Sequence, residues 1–69
     1  MDLYSGEVDT TYKVASLKES KKLISSSIKV GTDLTILYLA PAFVVVDNAG
    51  TKLVIEKSLA KKIQVEKVF

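Results

Sequence analysis

The sequence has no cysteine and no histidine. Disulfides are excluded, and so is a structural zinc site built from thiolates and imidazoles. A nucleophilic triad of the usual kind cannot be assembled either. Arginine is also missing: all ten basic residues are lysine, against eight acids, for a net charge of +2. Arginine is the usual bidentate reader of guanine and phosphate. A modest lysine excess without it favours a solvated face over a nucleic-acid interface. Glycine is scattered at Gly6, Gly31 and Gly50, so there is no phosphate-cradling loop. The longest apolar run, residues 36–46, is too short to cross a bilayer and contains Pro41. The opening "MDLYSGEVDT" carries acids and no basic leader. The expectation is a soluble, cytoplasmic protein with no direct membrane insertion. The lack of cysteine fits a reducing compartment.

What is present is apolar. Hydrophobic residues make up 48% of the 69, and mean hydropathy is +0.25. The length suits one small domain, residues 1–69. A domain of this size buries only about 60% of the surface its unfolded chain exposes. With no cross-link available, the fold must rest on its core. The apolar fraction is also high enough to leave a patch outside, which points to a partner or to self-association.

Residues 1–7 read as a lead-in, with Leu3 and Tyr4 available to pack and Gly6 as a turn. Residues 8–15, "VDTTYKVA", are β-branched and aromatic and predict a strand. Ser16 then opens "SLKE", a capping box with Glu19, which predicts a short helix over residues 17–27. Its apolar stripe is Leu17, Leu23, Ile24 and Ile28, and the three serines 25–27 mark its end. "KVG" at 29–31 is a turn. Residues 32–40 form a strand that Pro41 ends. Residues 43–47 and 51–57 are strands joined by the hairpin turn "DNAG", in which Asn48 and Gly50 tolerate positive φ. Ser58 caps the short helical turn "LAKKI", and residues 64–68 form a last strand.

The fold class is therefore mainly β: about five short strands, one short α-helix after the first, and a short helical turn before the last. That order suits a small, strongly bent barrel, whose closure hides edges that so short a chain could not otherwise cover. By strict alternation Leu34, Ile36, Val44, Val46, Leu53 and Ile55 point inward. Leu37, Leu39, Phe43, Val45 and Val54 then point outward, in one part of the sheet. Two readings of that outer set stay open. It is cross-strand packing, covered by Tyr4 or Phe69, or it is a docking surface.

Catalysis has little to work with. A general acid or base needs a positioned carboxylate, imidazole, amine or thiol. Asp47 is explained as a turn former and Glu19 as a cap, while Glu56 and Glu66 sit on strands facing water. No catalytic residue, cofactor or enzymatic activity is expected.

From Leu17 onward the order of features resembles the FeoA family, ferrous iron transport protein A. "KKLISSSIKVGTDLTILYLAP" matches its basic-apolar helix, "GT" turn and strand ending in "AP". "GTKLVIEKSLAKKIQVE" matches its "G-x-x-L-x-[LI]" strand closing in "A-x-x-I-x-V", and "L-x-x-G-E" at Leu3, Gly6 and Glu7 agrees as well. The chain departs from the family in having Ser27 where a glycine is usual, Val30 where a proline is frequent, and a shorter tip after Pro41. The resemblance implies an SH3-like barrel in the cytoplasm. It also implies an accessory protein that contacts the cytosolic domain of a membrane ferrous iron transporter (FeoB-like). The runner-up role is a regulatory module like the carboxy-terminal domain of iron-dependent transcription repressors.

The family name tempts one toward an iron site, yet ferrous iron in N/O sites generally uses imidazole with carboxylate. Asp2, Glu7, Asp9 or Asp33 could offer only a weak, unselective carboxylate site, so no specific metal site is expected. The function must then lie in contact. The residues expected to bind the partner are Leu37, Leu39, Phe43 and Val54, with Lys57, Lys61 and Lys62 on the rim. A third reading is self-association, through the strand 43–47 or the last strand pairing between copies.

Overall fold

A computed structural model describes residues 1–17 and 28–68. Five antiparallel strands form one sheet in the order β4-β3-β2-β1-β5. They are β1 (Thr11–Ser16), β2 (Asp33–Leu39), β3 (Phe43–Asn48), β4 (Thr51–Glu56) and β5 (Gln64–Lys67), with helix α1 (Lys57–Ala60) between β4 and β5. A 3₁₀ turn, Leu3–Ser5, precedes them. Because α1 joins the first strand in the sheet order to the last, the sheet must bend round until its two ends approach. That is the small, strongly bent barrel the pattern predicts, and it agrees with the SH3-like barrel the resemblance implies.

The inner face explains the bend. Leu34, Ile36, Val44, Val46 and Ile55 are buried, as alternation requires, together with Tyr12 and Val14 from β1 and Val65 from β5. Leu3, Ile28, Ala60 and Ile63 close the core from outside the strands, and Leu53 packs against it half-buried. Each fully buried aliphatic side chain contributes about 1.5–3 kcal/mol, so a chain with no cross-link holds together only by this convergence.

Several boundaries differ from the sequence reading. The first strand begins at Thr11, because Asp9 adopts a left-handed φ of 65° and donates its N–H to the Ile36 carbonyl at 2.7 Å. The predicted helix 17–27, with Glu19 of its capping box, lies outside the described residues. Ser16 ends β1, and Leu17 and Ile28 at either end of the stripe meet the core. Ser58 lies inside α1 rather than capping it; Glu56 holds the N-cap position, without a side-chain cap bond. The strand 43–47 is interior, flanked by β2 and β4, so it has no edge to offer another copy. Tyr4 does not cover the outer face: it packs against the core, and its hydroxyl donates to the Ala40 carbonyl.

The hairpin between β3 and β4 is tighter than expected. Asn48 pairs with Thr51, so the loop is only Ala49 and Gly50, with φ of 54° and 91°. Positive φ at both positions is the type I′ geometry that matches strand twist. The sequence reading gave the left-handed role to Asn48, but Asn48 lies in β3 and Ala49 takes it. Asp47 braces the turn, accepting from the Gly50 N–H at 3.3 Å.

Gly6 is fixed by contact rather than by φ. A Cβ there would stand 2.6 Å from the Ile36 Cδ1 and 2.7 Å from the Tyr12 ring. The Tyr12 hydroxyl in turn accepts from the Glu7 N–H at 2.9 Å.

Two stability measurements check these placements. Gly6→Ala should cost about 1–3 kcal/mol in urea unfolding, since the added methyl would push on two buried core side chains, Ile36 and Tyr12. An unchanged midpoint would mean that the Tyr12 ring is not seated there. Ala49→Asn should raise Tm by about 4–8 °C, because relieving a left-handed alanine recovers roughly 1 kcal/mol. A fall in Tm would contradict the two-residue turn.

Candidate functional site

The outer face of the sheet is set by one irregularity in β2. Ile36 pairs with Val46, but the next pair is Tyr38 with Val45, followed by Leu39 with Val44. Two residues on β2 thus advance against one on β3, and Leu37 is the extra residue of a β-bulge. A bulge shifts the phase of a strand. Before it the even residues Leu34 and Ile36 face the core. After it the odd residue Leu39 lies opposite buried Val44 and packs against the core, half-buried. The expected outward position of Leu39 is therefore corrected: Tyr38 takes that place and is 57% exposed.

On β3 the alternation holds, with Phe43 and Val45 half-buried on the outer side and Val44 and Val46 buried. Val45 stands opposite Val54 of β4, which is 68% exposed. Tyr38, Val45 and Val54 therefore form one apolar row across three strands. Phe43 flanks it, its ring 6.5 Å from that of Tyr38 and tilted by 51°. Charges frame the row. Asp47 and Lys52 are opposite each other toward the hairpin, and Glu56 is opposite Phe43 at the other end.

Of the residues the sequence nominates, Phe43 and Val54 meet on this face. Leu37 sits half-buried at the bulge. Lys57 begins α1, with its ammonium 5.0 Å above the Tyr4 ring. Lys61 is exposed one turn on, its N–H donating to the Lys57 carbonyl at 3.0 Å. Tyr38 is the member that sequence reasoning missed. Nothing in "TDLTILYLA" marks where the extra residue falls, and only its phenol hints at a half-wet position.

Among the described residues the carboxylates do not converge. Asp2 accepts from the Ser5 N–H at 3.0 Å, and Asp33 pairs with Lys13 at 3.1 Å on the surface. Among the described residues no three metal-ligating side chains gather. A shallow depression of about 250 Å³ is lined by Glu56, Ser58, Leu59 and Lys62. It joins one carboxylate to one amine and offers no activated nucleophile. Among the described residues no helix is long and apolar enough to cross a membrane.

The match to known proteins agrees with this architecture. The FeoA domain description fits residues 1–67. The chain belongs to the FeoA family. An NMR structure of a FeoA-like protein from Clostridium acetobutylicum is 31% identical to it and superposes with a TM-score of 0.83. That alignment covers 100% of this chain and 87% of the other. No curated protein matches the sequence significantly. Membership associates this FeoA domain with ferrous iron transport, among small accessory domains rather than a known enzyme family.

The bulge phase has a direct check. Leu39→Ala should cost at least about 1 kcal/mol, since its side chain packs on the core. Tyr38→Ser should stay within roughly 0.5 kcal/mol, as an exposed change does. Chemical denaturation of the two variants measures both, and the reverse ranking would place Leu39 outside.

Proposed function

We propose that this FeoA domain works by contact, docking on the cytosolic region of a membrane ferrous iron transporter through the outer face of β2, β3 and β4. The observation that carries the reading is an apolar row, exposed Tyr38 and Val54 with half-buried Val45 between them, on a chain of this family. Phe43 extends the contact and Leu37 borders it, while Leu39 holds the strand's phase from beneath. Lys57 and Lys61 supply positive charge at the α1 end of the face. The domain acts in the cytoplasm, binds no cofactor and catalyses no reaction in this role.

Energetics suit a regulatory contact. Burying the row stabilises the complex at about 25 cal/mol per Å² of apolar surface. Loss of translational and rotational freedom offsets much of that gain, so affinity is modest. The lysines steer approach more than they hold the complex, and salt weakens their effect.

Titration calorimetry with the purified cytosolic region of the cognate transporter tests the reading. Micromolar binding is expected, and Tyr38→Ser or Val54→Ser should each weaken it about tenfold, the effect of losing one central apolar contact. Absence of heat up to high micromolar concentration, or equal binding by both variants, would defeat it.

A further inference from the structure

The two edges of the sheet differ. The outer side of β5 is covered by the start of the chain: the Val65 N–H donates to the Met1 carbonyl at 2.7 Å, and Asp2 bridges to Gln64. The Leu3 N–H donates to the Ile63 carbonyl at 2.9 Å just before it. The outer side of β4 has no paired strand among the described residues. An uncovered edge is a template for another strand.

The register fixes which residues that edge presents. Thr51 closes the two-residue loop against Asn48, and the Lys57 N–H donates to the Ala42 carbonyl at 2.9 Å. Both fit one antiparallel ladder, in which the odd-numbered residues of β4 turn their peptide groups toward β3. Backbone alternation then turns the peptide groups of Lys52, Val54 and Glu56 outward. All three are exposed, and all three lie on the outer face.

We propose that β4 pairs antiparallel with β4 of a second copy of this chain, about a two-fold axis through Val54. The argument is charge complementarity under that symmetry. A two-fold contact is self-complementary, so each pair occurs twice. Centring the axis on Lys52 would oppose lysine to lysine, and centring it on Glu56 would oppose glutamate to glutamate. Centring it on Val54 sets Lys52 opposite Glu56 twice and Val54 opposite Val54. The two Val54 peptide groups exchange N–H to carbonyl bonds. On the inner side, half-buried Leu53 of each copy comes opposite Ile55 of the other. The apolar rows of both copies join into one, running from Tyr38 to Tyr38. The contact is below the size of a standard stable interface, so association is weak, in the high micromolar range.

Sedimentation equilibrium of the full chain alone, from low micromolar to near millimolar, tests this independently of any transporter. A monomer–dimer equilibrium is expected. Lys52→Glu and Glu56→Lys should each weaken it about tenfold, since each turns two attractive pairs into two repulsive ones. The double swap should restore association, with circular dichroism showing all variants folded. The Val54 amide should shift and exchange more slowly as concentration rises. A chain that stays monomeric at near-millimolar concentration would overturn the proposal. So would association that ignores the single changes, or a folded double swap that fails to recover it.

Discussion

Everything in this fold depends on burying one apolar surface without a covalent clamp. With no cysteine or histidine, neither a disulfide nor a zinc site of thiolates and imidazoles can hold 69 residues together. Leu34, Ile36, Val44, Val46 and Ile55 form a strip too wide for any single strand to cover. The sheet bends over it, and the gap is filled from beyond the strands by Leu3, Ala60 and Ile63. Helix α1 is short because its task is to carry the chain from β4 to β5 while Ala60 seals the core.

The bend and the outer face are linked through the bulge at Leu37. Bulges increase local twist and re-aim side chains. Here the extra residue lets β2 turn Leu39 toward the core after the bulge, and in the same step places Tyr38 outside. One backbone irregularity thus serves the core and composes the apolar row. The row then crosses β3 at Val45 and β4 at Val54 and stops at a strand whose hydrogen-bonding edge is uncovered among the described residues. The proposed contact face and the proposed pairing edge share Val54, so a partner docked on the face and a second copy on the edge would both touch it.

Most of the strands were legible because half-buried strands write their burial as a period of two. Val44 and Val46, Leu34 and Ile36, and Leu53 and Ile55 all follow it, with Leu53 only half-buried. The hairpin was legible from its Gly50, although the left-handed residue beside it is Ala49 rather than Asn48. Phe43 and Val54 were legible as outward residues for the same reason. Leu39 was misplaced because a period of two carries no record of an inserted residue, and its side chain is apolar in either phase. Ser58 was misread as a cap because a serine before an apolar turn fits two helical positions, and the choice depends on where β4 releases the chain.

By itself the sequence determined the class of fold, the reliance on an apolar core, and the lack of groups for redox or imidazole chemistry. Those follow from residue type and local period, which are properties of the chain alone. Only the tertiary structure decided that Tyr38 rather than Leu39 faces outward, that the start of the chain covers β5, and that Lys52, Val54 and Glu56 present their peptide groups at the other edge. Those depend on pairing between residues far apart in the chain, and a register is set by two strands together, never by one.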